Sequence, residues 1–154
     1  MKEQTIACLL TLGFLLCTTL VFSQSAASTR PESDHIAIHV RDLAKSAEFY
    51  EKAMGLEKIP EPFKDGRHIW FRMGAHSQLH VVGGATEMSP QAIDNHFAFR
   101  VASLTEFMAR LDAMQVKYRS FKGDEKFTTR PDGVRQIYFQ DPDGYWIEVN
   151  DGTF

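Results

Sequence analysis

From Asp34 onward the spacing of apolar residues changes period several times, and each change marks an element. In "DHIAIHV", His35, Ala37 and His39 fall on one side of an extended stretch and Ile36, Ile38 and Val40 on the other, which predicts a strand with one core face and one polar face. Leu43, Ala47, Tyr50 and Met54 then recur at spacings of three to four, the stripe of an amphipathic helix that ends at Gly55. "EKIPEPFKDG" reads as a loop, or as an edge strand interrupted by Pro60 and Pro62, because proline has no N–H for a sheet ladder. The segments 67–73 and 77–82 alternate again on either side of Gly74, Ala75 and His76, a hairpin.

A polar connection, "GGATEMSPQAID", leads to a second round of the same order. "HFAFRV" alternates as a strand, and Leu104, Phe107, Met108, Leu111 and Met114 form a helical stripe. A charged loop follows, then two strands over 134–140 and 145–150 joined by the turn "DPDG". The chain is thus an α+β sequence of two modules, 34–83 and 95–150, each a strand, a helix and two or three strands. Their leading histidines, His35 and His96, stand about 60 residues apart, too short a repeat for two independent cores. The halves are expected to share one domain over 34–151.

The residues before that domain have another character. Lys2, an apolar run from Ile6 to Phe22 and the small residues "SQSAAS" follow the order of a secretory signal peptide over 1–27, with cleavage between Ser23 and Ala27 and a linker over 28–33. An uncleaved anchor is the plain alternative, the run being close to the shortest membrane span. Cys17 follows Leu15 and Leu16, a weak lipidation context. Both cysteines, Cys8 and Cys17, lie inside the run, so an exported mature chain would hold together by its core without disulfides. A formal net charge of −3, spread without a basic block, argues against nucleic acid as a partner and, once the signal is removed, against a membrane.

Strand parity places the candidate chemistry. The polar faces carry His35 and His39 in the first strand, Gln78 and His80 in the last strand of module 1, His96 and Arg100 at the start of module 2, and Trp146, Glu148 and Asn150 at its end. If both modules curve around one hollow, His35, His80, His96 and Glu148 converge, two from each half. Three imidazoles and a carboxylate suit one divalent ion, whether zinc, nickel, iron(II), cobalt or manganese, with positions left for water or substrate. Without His80 the set becomes the two-histidine, one-carboxylate arrangement of non-haem iron. A single strand histidine is more often a hydrogen-bonded surface residue than a ligand, and His68 and His76 beside the hairpin turn are read that way. Glu148 could equally be a solvated edge charge. The matched positions in the two halves, His35 with His96 and His80 with Glu148, favour ligation.

"DHIAIHVRDLAKSAEFYEKAMGL", "GAHSQLHVV", "NHFAFRV" and "IYFQDPDGYWIEVND" together resemble the vicinal oxygen chelate superfamily, which includes glyoxalase I, fosfomycin- and bleomycin-resistance proteins, methylmalonyl-CoA epimerase and extradiol dioxygenases. The resemblance implies a glyoxalase-like fold, two paired βαβββ modules forming a U-shaped, partly open mixed sheet around a metal site, usually in a homodimer. It implies the metal ligands His35, His80, His96 and Glu148, and a metal acting as Lewis acid on two neighbouring oxygens of a small-molecule substrate. Glu148 would shuttle a proton as in glyoxalase I, with His80 as second acid/base group. His39, Arg100, Tyr138 and Trp146 would contact substrate, and Arg100, Lys126, Arg130 and Arg135 could hold an anionic group or simply be solvated.

The glutathione contacts of glyoxalase I are not kept: an arginine there corresponds to His39 and an asparagine to Gly84. Tyr138, ten residues before Glu148, fits the end of the extradiol signature, but "TTRPDGV" stands where that signature expects a histidine. Tyr138 then reads as a strand aromatic with its hydroxyl at the rim. The expectation is an exported, periplasmic or secreted, metal-dependent glyoxalase-like lyase or isomerase. The alternatives are an extradiol-type dioxygenase, or a drug- or metabolite-binding protein without turnover. Pairing of the halves within one chain or between two chains stays open.

Overall fold

The structure, a computed structural model, describes residues 29–153; the expected signal peptide, with Cys8 and Cys17, lies outside the described residues. Module 1 runs β1 (His35–Val40), α1 (Leu43–Lys52), β2 (Lys58–Ile59), β3 (His68–Arg72) and β4 (Gln78–Gly83). Module 2 repeats it as β5 (His96–Arg100), α2 (Leu104–Ala113), β6 (Thr128–Thr129), β7 (Arg135–Gln140) and β8 (Trp146–Asn150). Each module makes a four-stranded mixed sheet, ordered β1-β4-β3-β2 and β5-β8-β7-β6, and the two sheets are not closed on one another. The α+β pairing of modules expected from the repeat, and the glyoxalase-like architecture implied by the resemblance, are present.

Local chemistry explains where the elements start and stop. Asp42 caps α1 by accepting from the Lys45 N–H at 3.0 Å, and Ser103 caps α2 by accepting from Glu106 at 3.2 Å. After α1 the chain reverses at Gly55, whose φ of +70° a side chain would disfavour. The broken segment after it does supply an edge strand, but only Lys58 and Ile59 pair with Phe71 and Trp70 before Pro60 stops the ladder. β6 is a strand that alternation did not reveal within the charged loop. Its two threonines pair with Gln136 and Arg135, and two residues are too short to show a period.

Side-chain burial follows the parity of the sequence. Ile38 and Val40, Leu79 and Val81, and Ile147 and Val149 are buried beneath the helices, with Ala47, Tyr50, Leu104, Phe107 and Leu111 facing them. His35, Ala37 and His39 lie exposed on the opposite face of β1. Among the described residues no helix is long and apolar enough to cross a membrane.

The two modules are tied together through the "DPDG" turn between β7 and β8. Asp143 accepts from Arg41 Nε at 2.9 Å and from Ser46 Oγ at 3.1 Å, and Asp141 accepts from the Tyr50 hydroxyl at 2.8 Å. The Tyr145 hydroxyl meets the His39 backbone, donating to its carbonyl at 3.1 Å. Phe139 packs between Phe49 of α1 and Phe107 of α2, with ring centroids 6.3 and 6.2 Å away. Buried carboxylates at a tight turn, each with several donors, therefore fix module 1's helix to module 2's hairpin.

Candidate metal centre

The registers place the candidate ligands on the same diagonal in both sheets. β1 and β4 run parallel with Ala37 opposite His80, so His35 and His80 are offset by two residues on adjacent strands. β5 and β8 run parallel with Ala98 opposite Glu148, which gives His96 and Glu148 the identical offset. The alanine beside each second ligand leaves room for the histidine to lean across. The sequence carried this signal as "HIA" and "HFA", a histidine with alanine two residues on.

In module 1 the His35 and His80 rings stack at 4.2 Å with an 11° interplanar angle. Trp70, the register partner of His80 on β3, closes its other face at 3.9 Å and 3°. His80 is thus held between two flat rings, and its Nε2 meets Gln78 Oε1 at 2.9 Å. Burial, and next the neighbouring His35, push the His80 imidazole below its ordinary pKa, so it is neutral near pH 7. His35 Nδ1 faces Asp34 Oδ2 at 2.6 Å.

In module 2 the pair is closer and more enclosed. His96 Nδ1 donates to the Ile93 carbonyl, 2.7 Å away, because a carbonyl oxygen can only accept. Its other nitrogen, Nε2, lies 3.3 Å from Glu148 Oε2. Glu148 is buried, and each carboxylate oxygen also accepts a bond: Oε2 from the Tyr138 hydroxyl at 2.6 Å and Oε1 from Asn150 Nδ2 at 2.8 Å. Gln136 Nε2 in turn donates to the Tyr138 hydroxyl. Tyr138 is therefore buried and bonded to the carboxylate, where the sequence had suggested a hydroxyl at the rim. Burial, reinforced by Glu148, raises the Tyr138 pKa well above its usual value, so it remains a proton donor.

These residues fit a divalent cation on three counts. His35 and His96 each commit Nδ1 to an oxygen of a carboxylate or backbone carbonyl, the outer-shell arrangement that frees Nε2 as a ligand. The Nε2 lone pair of a neutral His96 and the Glu148 carboxylate face one another at contact distance, which is unfavourable unless a cation or a proton lies between. Nitrogen and carboxylate donors together suit zinc, nickel, iron(II), cobalt or manganese. Within one chain, however, the four do not converge: among the described residues no three histidine, cysteine, aspartate or glutamate side chains stand close enough to share an ion. The chain presents two half-sets, one per sheet.

The other candidates divide. His39 is exposed beside Gly84, and Arg100 is exposed in register with Asn150. Trp146 gives its Nε1–H to the Gln91 carbonyl at 2.9 Å and carries the Arg119 guanidinium over its ring at 5.0 Å. Arg130 and Arg135 are committed to Asp132 and Asp151 at 2.5 and 2.8 Å, while Lys126 is exposed. His68 pairs with Asp65 at 2.9 Å and His76 is exposed, as expected of histidines outside the site. Asn150, which parity set beside Glu148, proves to bond its carboxylate, whereas Arg119 and Gln136 were missed. Gln136 shares the parity of Tyr138, which would have found it, but Arg119 lies in an irregular segment that pairs only once, with Tyr138.

Known proteins agree with this architecture. The chain is 29% identical over 121 residues to Uncharacterized protein YwbC of Bacillus subtilis (strain 168), a match covering 75% of this chain and 93% of that protein. It is 26% identical to Glyoxylase I 4 of Arabidopsis thaliana, over 75% of this chain and 68% of that one. The crystal structure of FosX, a genomically encoded fosfomycin resistance protein from Listeria monocytogenes, superposes with a TM-score of 0.63 at 26% identity, covering 81% of this chain and 96% of that one. With the family model matching residues 32–149, the chain belongs to the Glyoxalase/Bleomycin resistance protein/Dioxygenase superfamily.

Proposed function

We propose that the protein is an exported, metal-dependent glyoxalase-like lyase or isomerase acting on a small molecule with two neighbouring oxygens, and that its site is completed by a second copy of the chain. The observation that carries this reading is the His96–Glu148 pair, a directed imidazole nitrogen and a buried carboxylate oxygen 3.3 Å apart with no third ligand within reach among the described residues. His35 and His80 of one copy with His96 and Glu148 of the other would hold the ion. Bound there, the ion would supply Lewis acidity to the substrate's paired oxygens. The similarity to Glyoxylase I 4 supports this class of chemistry. The amino-terminal order of Lys2, an apolar run and Ser25 and Ala27 supports export.

The chain's own residues then divide the work. Glu148 Oε2 takes a proton from the carbon beside a carbonyl and returns it to the neighbouring atom. The Tyr138 hydroxyl and the Asn150 amide hold that carboxylate in one orientation, since both its oxygens are fixed by donors. His80, kept neutral between Trp70 and His35, can bind through a nitrogen or accept a proton.

Subunit complementation tests the assembly. His35→Ala and Glu148→Gln are each expected to lose metal, whereas a mixture allowed to exchange subunits regenerates one intact set in every mixed dimer. Random exchange within a two-fold dimer gives about a quarter of the wild-type metal content. A mixture no better than its components would show that the four residues do not meet across two copies. A second reading, an extradiol-type dioxygenase, is favoured by the Tyr138–Glu148 hydrogen bond. Oxygen uptake on catechols by the iron-loaded protein would select it over hemithioacetal turnover.

A further inference from the structure

Arg119 lies on the same sheet face as Glu148 and, among the described residues, has no anionic partner. It makes an isolated bridge to Tyr138 on β7, and Tyr138 stands opposite Glu148 on β8, so the three residues lie in one row. At strand spacings of about 5 Å, the Arg119 backbone sits about 10 Å from that of Glu148. Among the described residues, the guanidinium makes no ion pair or hydrogen bond, and its contact is the Trp146 ring 5.0 Å below. Arg100, Arg130 and Arg135 are all engaged in interactions of their own.

The surroundings of Arg119 are built for it. A Cβ on Gly123 would fall 2.4 Å from Arg119 Nη1, and Gly123 holds a φ of +84°, so the bare backbone there lets the guanidinium lie against it. The indole on the other side is itself anchored by its bond to Gln91. Arg119 and Lys117 line an open pocket of about 370 Å³ with Tyr138, Gln140 and Trp146, and no carboxylate is among its lining residues. Two cations and an indole with no carboxylate in the lining form a site for an anion, and a guanidinium fixed by stacking offers its N–H groups in a set plane.

We propose that Arg119, seated on Trp146, binds the oxyanion group of a small organic acid, a carboxylate, phosphonate or phosphate. Anion capture needs only this pocket. Its role in the reaction, holding the substrate by its charged end while the paired oxygens lie near Glu148, rests on the function proposed above. It would make Arg119 a specificity-determining residue two pairings away from Glu148.

The test titrates metal-free protein with phenylphosphonate, with benzyl alcohol as neutral counterpart, followed by tryptophan fluorescence and calorimetry. Saturable phenylphosphonate binding is expected, weakened about tenfold or more in Arg119→Gln and by a smaller factor in Arg119→Lys, which keeps the charge but not the stacked plane of donors. Both variants should melt with the wild type, since the guanidinium has only the ring contact to lose. A benzoate titration separates planar from tetrahedral oxyanions. Equal binding by Arg119→Gln, equal binding of benzyl alcohol, or no saturable binding by the wild type would overturn the proposal. Glu148→Gln separates it from the metal reading: phenylphosphonate binding should survive in that variant while its metal is lost, and a Glu148→Gln protein that kept its metal would sink the metal site without touching the anion result.

Discussion

Replacing Asp143 with alanine isolates the contact that joins the two modules. Its side chain is 3% exposed and accepts from Arg41 Nε, the Arg41 N–H and Ser46 Oγ. Arg41, 57% exposed, can turn to water when its partner is removed, so its loss is small. Ser46 is fully buried, and an orphaned hydroxyl there costs about 1–3 kcal/mol. Adding the lost charge-assisted bond to the Arg41 N–H gives about 2–4 kcal/mol, or roughly 6–15 °C in Tm for a domain of this size. Urea unfolding followed by circular dichroism measures it, and a loss below about 0.5 kcal/mol would refute this account of the joint. The pH dependence supplies a second check. Burial raises the Asp143 pKa, but hydrogen bonds from Arg41 and Ser46 and the Arg41 charge outweigh it and hold the carboxyl below its usual value. A depressed folded pKa means the contribution is present above the unfolded value of about 3.9 and is lost as the pH falls through the folded value. The stability gap between wild type and Asp143→Ala should therefore close on acidification below about pH 4. Asp141 next to it has the opposite sign, its pKa raised chiefly by burial, so the total curve is flatter than Asp143 alone would make it.

Three further outcomes follow from the site. Trp70 has an indole Nε1 that is buried without a partner among the described residues, so Trp70→Phe should keep the stack on His80 and change stability by less than about 1 kcal/mol in denaturant titration. Trp70→Ala should free the His80 ring and weaken zinc binding in a competition titration, and unaltered affinity would show that the stack does not position His80. Glu148→Gln should abolish turnover at little cost in melting temperature, because an amide of the same shape still accepts from Tyr138 or Asn150; unchanged turnover would remove Glu148 from the mechanism.

How much of this was legible in the sequence depended on period. Long alternating or helical segments such as His35–Val40 and Leu104–Ala113 announced themselves, since their apolar spacing is dictated by the face they bury. β6 and the position of Arg119 did not, because a two-residue strand and a single bridge leave no periodic trace. Parity correctly assigned His35, His80, His96 and Glu148 to the non-core faces, yet it could not say which sheets those faces confront. Tyr138 failed differently. It reads as a strand aromatic with its hydroxyl at the rim, and only the bonds to Gln136 and Glu148 show that the hydroxyl is enclosed.

The two half-sets differ in a way that the repeat alone does not explain. Both place a histidine on the outer parallel strand and a second ligand two residues along the central strand, with alanine in between. In module 1 the second ligand is a neutral imidazole stacked between rings, and in module 2 it is a buried carboxylate held by a tyrosine and an asparagine. A duplicated scaffold thus offers an imidazole pair and an imidazole–carboxylate pair from equivalent positions. Joined across two copies as proposed, three imidazole ligands and one carboxylate would leave a divalent ion with a net positive charge, which would attract anionic substrate oxygens. Four carboxylates on the same scaffold would repel them. Replacing the module 1 stack with a second carboxylate would therefore alter the charge of the site as well as its geometry, and the aromatic wall of Trp70 against His80 is the feature of module 1 that suits imidazole there.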